Sequence, residues 1–153
     1  VPPTLIKSQG PVDRQRVLSG ETSEAIRRLL RLNVLEGTGT LAAAPGFLVG
    51  GKTGTAEKAR GGGYQSDALV SSFVGAFPMN DPRYVVLALL DEPQGNDSTK
   101  GFATAGWTAA PVVSRVISRI GPLLGVEPVD TISRTAQQAL FISLDGRTAG
   151  AAF

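Results

Sequence analysis

The 153-residue sequence contains neither cysteine nor histidine. Without them the chain alone builds no disulfide framework, no zinc site of the usual kind, no thiol nucleophile and no Ser–His–Asp triad. Any catalysis it takes part in must run on Lys, Ser, Thr, Tyr, Asp, Glu and backbone amides. Aromatic residues are few, with one Trp, two Tyr and six Phe. Nowhere does the sequence approach the run of about 18 apolar residues that a membrane span requires, and no charged segment followed by an apolar stretch opens it. The chain is therefore expected to be soluble. It also lacks an initiator Met, opening Val1-Pro2-Pro3-Thr4-Leu5-Ile6, and is expected to be a piece of a longer protein.

A strong excess of either charge is missing too. Fifteen Lys and Arg stand against thirteen Asp and Glu, for a net charge of +2. That balance is not a nucleic-acid footprint. The largest basic group, Arg27, Arg28 and Arg31, falls at helical spacing and reads as a solvated face. What the chain does have is 42% hydrophobic residues, enough for a real core. Nineteen Gly and ten Pro make up about a fifth of it, above the roughly 12% of average usage, so short elements and many turns are expected.

Prolines 2, 3 and 11 with Gly10 suit an extended lead-in, with one short strand around Leu5-Ile6-Lys7. Ser19 then fits a helix N-cap. Ile26, Leu29, Leu30 and Val34 keep the spacing of one buried stripe, Asn33 reads as a hydrogen-bonded core-edge residue, and Gly37 and Gly39 end the helix. Residues 47 to 57 carry Gly at 50, 51 and 54 and read as a strand, bracketed by Pro45-Gly46 and Gly61-Gly62-Gly63. Two apolar runs, 68 to 77 and 84 to 90, are joined by a short Asn-Asp-Pro turn and make an antiparallel hairpin. After a Gly-, Ser- and Thr-rich loop, Pro111 suits the first position of a second helix. Val112, Val113, Val116, Ile117 and Ile120 would share one face of it, Arg115 and Arg119 the other, with Gly121-Pro122 near its end. Trp107 is expected to anchor this helix on the sheet. Residues 131 to 141 give a weak helix signal. The order helix, three antiparallel strands, helix is an α+β arrangement.

Lys52 admits two readings. Gly46-Phe-Leu-Val-Gly-Gly51-Lys52-Thr53 fits the phosphate-loop pattern G-x-x-x-x-G-K-[ST], and the apolar run ending Asp91-Glu92 resembles a magnesium-holding strand. A phosphate loop must open a helix, however, and Gly54 through Gly63 cannot form one of three turns; antiparallel strands also contradict the parallel nucleotide fold. The second reading is a strand-borne Lys52-Thr53-Gly54, a motif of penicillin-binding proteins and serine β-lactamases. A strand puts Lys52 and Gly54 on one face and Thr53 and Thr55 on the other. Such a site offers an ammonium, two hydroxyls for a carboxylate, close backbone approach at Gly54, and an amide at Thr55.

The surroundings make the second reading specific. Gly37-Thr38-Gly39-Thr40, Ala44-Pro45-Gly46, Val49-Gly50-Gly51-Lys52-Thr53-Gly54-Thr55-Ala56-Glu57-Lys58, Ser72-Phe73-Val74-Gly75-Ala76-Phe77-Pro78, Asp81-Pro82-Arg83-Tyr84, Leu90-Asp91-Glu92-Pro93 and Ala109-Ala110-Pro111-Val112 form an ordered set. Together they resemble the class B penicillin-binding transpeptidases, most of all their septal cell-division branch, from about Arg16 to Pro128. The resemblance implies residues 1–128 as the C-terminal part of a transpeptidase domain and 129–153 as a tail. It implies a serine-type D,D-transpeptidase that cross-links peptidoglycan stem peptides ending in D-Ala-D-Ala and binds β-lactam antibiotics, with no cofactor or metal. By match to the motif, Lys52 organises proton transfer, Thr53 and Thr55 bind the terminal carboxylate, Gly54 lies under the substrate, and the Thr55 amide forms half of the oxyanion hole. It further implies a parent anchored in the cytoplasmic membrane with its catalytic domain on the outer side, and divisome proteins as partners.

The family also uses S-x-x-K and S-x-N motifs earlier in the chain. Here Ser8, Ser19 and Ser23 are followed three positions on by Pro11, Thr22 and Ile26, and Ser66, Ser71 and Ser98 come after the K-T-G. The chain is thus expected to carry a substrate-binding wall without its nucleophile, to be inactive alone, and to associate with its missing N-terminal part or with itself through exposed sheet edges. A β-lactamase or D,D-carboxypeptidase fragment, and a non-catalytic interaction domain, are the alternatives.

Overall fold

A computed structural model describes residues 15–60, 63–131 and 133. The short strand expected around residues 5–7 and nearly all of the helix signal at 131–141 lie outside the described residues. Helix α1 spans Gly20–Glu36, strands β1, β2 and β3 span Gly50–Arg60, Gly63–Phe77 and Tyr84–Asp91, and helix α2 spans Ala109–Leu123. The strands form an antiparallel sheet in the order β1-β2-β3. The expected α+β arrangement is therefore the observed one.

Ser19 caps α1, its hydroxyl accepting from the Thr22 amide at 3.0 Å. At the other end the Gly37 and Gly39 amides both donate to the Asn33 carbonyl, at 3.0 and 3.1 Å. The packed stripe of the helix differs from the expected one. Ile26 and Leu29 are 42% and 56% exposed, whereas Arg31 is only 6% exposed and Val34 only 1%. The seated face is rotated toward Arg27, Leu30, Arg31 and Val34, because arginine stems lie along the apolar surface while their guanidiniums reach backbone oxygens. Arg31 Nη1 donates to the Val49 carbonyl at 2.8 Å and Arg27 Nη1 to the Asn80 carbonyl at 3.3 Å. Arg31 is thus a strut between α1 and the chain entering β1, not part of a solvated face.

Strand β1 starts at Gly50, three residues later than expected. Gly46, at φ 82°, turns the chain, and the Phe47 amide bonds back to the Ala44 carbonyl, so residues 47 to 49 are buried but lie outside the ladder. Strand β2 starts earlier, at Gly63 opposite Arg60, which makes β1 and β2 a hairpin as well. The β2–β3 hairpin pairs Phe77 with Tyr84, as the Asn-Asp-Pro turn requires.

Helix α2 starts two residues before Pro111. The Ala109 and Ala110 amides already donate to the Ala105 carbonyl, so Pro111 sits in a first turn whose N–H groups lack helical acceptors. Pro122 lies inside its last turn. Val113, Ile117 and Gly121 face the sheet and are buried, while Val112, Val116 and Ile120 are half-buried and Arg115 and Arg119 exposed. The core gathers Phe47, Val49, Phe73, Phe77, Val113 and Ile117 between α2 and the sheet. Phe47 and Phe77 meet edge to face with centroids 6.1 Å apart, and Phe77 and Tyr84 lie tilted at 35° with centroids 5.5 Å apart. The opposite face of β3 carries exposed Val85, Leu87 and Leu89.

Candidate functional site at the edge of the sheet

The sheet ends at β1, so the K-T-G segment lies on an edge strand of the described sheet. Lys52-Thr53-Gly54-Thr55 pairs with Val74, Phe73, Ser72 and Ser71 of β2. No helix opens after Thr53, which removes the phosphate-loop reading.

Strand alternation turns Thr53 and Thr55 to the same side, into a groove of about 460 Å³. One wall is the turn after α1, with Gly37, Thr38, Thr40 and Leu41; the other is the loop before α2, with Thr104, Gly106 and Trp107. The two walls nearly touch at one end. A Cβ on Gly106 would stand 2.6 Å from the Thr38 carbonyl oxygen, so only glycine fits there.

Each hydroxyl of the strand is bonded to one wall. The Thr55 oxygen accepts from the Ala105 amide at 3.1 Å. The Thr53 hydroxyl lies 2.8 Å from that of Thr38, which donates to Asn33 Oδ1 at 3.2 Å. Asn33 Nδ2 donates in turn to the Gly51 carbonyl at 2.8 Å, just before the motif. Asn33 is therefore the hydrogen-bonded core-edge residue its position suggested. Lys52 is exposed and its Nζ curls along the edge, donating to the Thr53 carbonyl at 2.9 Å and hydroxyl at 3.2 Å. Gly54 is exposed between the threonines, with Ser72 Oγ donating to its carbonyl at 3.3 Å. All four candidate residues stand together, with the ammonium beside the groove and both hydroxyls in it.

Trp107 does not anchor α2 on the sheet. It is half-buried, lines the groove, stacks on exposed Phe102 with ring centroids 5.4 Å apart, and has Lys100 Nζ at 5.3 Å from its ring centre. The anchoring task falls to Ala105, Ala109 and Ala110, which are small enough to be fully buried. Thr38 and Trp107 are thus site residues that spacing alone did not single out. The available signal for Thr38 was a hydroxyl between two glycines at the foot of a helix.

Below the groove, Lys58 follows a register shift after Glu57 and reaches over to β3. Its Nζ lies 2.6 Å from Asp91 and 2.9 Å from Glu92. Hydrogen bonds to Asp91 first and Glu92 second hold its ammonium above the usual lysine range. Burial pulls the Arg31 guanidinium below its ordinary value.

The sequence profile of the penicillin-binding protein transpeptidase domain matches residues 1–117. The chain belongs to this family. It is 48% identical over 122 residues to a probable peptidoglycan D,D-transpeptidase FtsI of Caulobacter vibrioides, covering 74% of this chain and 21% of that protein. It is 41% identical over 123 residues to stage V sporulation protein D of Bacillus subtilis, covering 80% and 18%. Among solved structures, the transpeptidase domain of Burkholderia pseudomallei penicillin-binding protein 3 superposes with a TM-score of 0.67 at 38% identity, covering 80% of this chain and 36% of that one. Penicillin-binding protein 3 of Mycobacterium tuberculosis in complex with ampicillin gives 0.65 at 28% identity, covering 80% and 28%. The chain spans about a fifth of the length of the curated relatives it matches.

Proposed function

We propose that this chain is the K-T-G wall of a serine-type D,D-transpeptidase that cross-links peptidoglycan stem peptides during cell division and is acylated by β-lactams. The observation that carries the reading is the pair of threonine hydroxyls, Thr53 and Thr55, side by side in an edge groove with the Lys52 ammonium 3.2 Å from the Thr53 oxygen. A carboxylate is acceptor-only, so two hydroxyls and one ammonium form a suitable cradle for the terminal carboxylate of D-Ala-D-Ala or of a β-lactam. The substrate backbone would lie over Gly54, and the Thr55 amide would donate to the carbonyl oxygen as it becomes an oxyanion.

In the reaction, a serine hydroxyl attacks the penultimate D-Ala carbonyl, the terminal D-Ala leaves with the proton, and the acyl-enzyme passes to an amine of a neighbouring stem peptide. Lys52 would help organise that proton transfer. The serine comes from the rest of the transpeptidase domain, in keeping with the share of the relatives that the chain covers. The same remainder would cover the apolar face of β3 at Val85, Leu87 and Leu89, and the isolated chain would self-associate there. None of the described helices is long and apolar enough to cross a membrane. We place the catalytic domain on the outer face of the cytoplasmic membrane, held by an anchor elsewhere in the protein, with divisome proteins as partners.

The test is release of D-Ala from a stem pentapeptide by the domain that includes this chain. Turnover by the domain and none by the 153-residue chain is expected. Covalent labelling of the chain alone by a fluorescent penicillin would overturn the placement of the nucleophile outside it.

A further inference from the structure

The hydroxyls of Thr53 and Thr55 are two residues apart on one strand, yet their protons are not equally free. The Gly51 carbonyl only accepts, so the Asn33 amide must turn its nitrogen there, at 2.8 Å, and its oxygen toward Thr38. That oxygen also only accepts, so the single Thr38 proton is given to it, at 3.2 Å. The 2.8 Å contact between the Thr38 and Thr53 hydroxyls must then be donated by Thr53. Lys52 Nζ, which only donates, takes a lone pair of the Thr53 oxygen at 3.2 Å. At Thr55 the order is reversed: the oxygen accepts the Ala105 amide at 3.1 Å, and the proton has no acceptor among the described residues.

From this asymmetry we infer that Thr38 is a positioning residue: with Asn33 behind it, its oxygen accepts the proton of the Thr53 hydroxyl and so competes with a bound carboxylate for that proton. The inference rests on the reading that Thr53 binds the substrate carboxylate. A ligand carboxylate is met at once by the Thr55 proton and the Lys52 ammonium. It gains the Thr53 proton only when the Thr53 to Thr38 bond is given up. The cost of that exchange is a brake on carboxylate recognition, set by a residue that does not itself touch the carboxylate.

The experiment uses the whole transpeptidase that contains this chain and compares second-order acylation by benzylpenicillin with acylation by its methyl ester, which lacks the carboxylate charge. The ratio of the two rates cancels any general loss of fold or reactivity. Thr38→Val, which removes the competing acceptor, is expected to raise the ratio by about two- to tenfold, the span of one net hydrogen bond. Thr38→Ala should raise it likewise, and Thr38→Ser, which keeps the hydroxyl, should return it to the wild-type value. Thr53→Val should lower it. A ratio unchanged or lowered in both Thr38→Val and Thr38→Ala, with Thr53→Val lowered as expected, overturns the inference alone. An unchanged ratio in Thr53→Val overturns the carboxylate reading and the inference together.

Discussion

The backbone amide of Ala105 donates to the Thr55 hydroxyl oxygen at 3.1 Å, tying a fully buried residue of the loop before α2 to the edge strand of the sheet. One hydroxyl thereby has two tasks open to it: its oxygen supports the fold, and its proton, without an acceptor among the described residues, is left for a ligand in the groove. Replacing Thr55 with Val leaves the Ala105 N–H without an acceptor and removes the groove donor. Stability of the transpeptidase domain is expected to fall by about 1–2 kcal/mol in a urea titration, with penicillin acylation at least about tenfold slower. Thr55→Ser should restore both, since it keeps the oxygen and the proton.

Gly51 sets how closely the motif strand lies on β2. A Cβ there would stand 2.4 Å from the Val74 carbonyl oxygen and 2.6 Å from the Phe73 ring, and neither backbone nor core aromatic can yield cheaply. Gly51→Ala is expected to cost about 1–3 kcal/mol and to slow acylation, because Lys52 and Thr53 move with the strand. At Gly63 nothing among the described residues lies within 4 Å of an added Cβ, and Gly63→Ala should stay within about 0.5 kcal/mol of wild type. Thermal melts of the two variants check the contrast.

Arg31 joins α1 to the entry of β1 through the Val49 carbonyl at 2.8 Å. Arg31→Leu keeps apolar bulk and removes that donor from a buried position, so a loss of about 1–3 kcal/mol is expected by urea titration. A change within about 0.5 kcal/mol, the ordinary range for a surface arginine, would contradict the strut.

Lys58 gives the account a pH signature. Its bonds to Asp91 and Glu92 raise its pKa in the folded state. A group raised on folding contributes stability that is complete below its unfolded pKa and is lost as pH climbs through the folded one. The melting temperature should therefore fall in the alkaline range, and Lys58→Met should be less stable at neutral pH with a shallower alkaline decline. Melting curves of both proteins from neutral to strongly alkaline pH measure this.

The elements that local chemistry dictates were legible in the sequence: the Ser19 cap, the Gly37 stop, the turn between Phe77 and Tyr84, and the placement of Lys52 on a strand rather than in a phosphate loop. What escaped was set by tertiary contact. The stripe 26, 29, 30, 34 counts Ile and Leu as inward, but the inward positions include arginines whose reach to the Val49 and Asn80 carbonyls no hydropathy pattern weighs. Trp107, expected as an anchor from its place just before α2, lines the groove because small alanines already fill the space under α2. Thr38 sits fifteen residues from Thr53 and meets it only because α1 folds back against β1. The ordered K-T-G context named the site; its hydrogen-bond directions needed the fold.

If Thr53 and Thr55 hold the carboxylate of the acylating ligand, fast acylation needs both hydroxyls, and the rate of covalent labelling by a fluorescent penicillin measures that need. In the transpeptidase domain that contains this chain, the double variant Thr53→Val with Thr55→Val is expected to label at least about a hundredfold more slowly than wild type, the loss of two hydrogen bonds to a charged group. Labelling of a folded double variant at the wild-type rate would contradict the account.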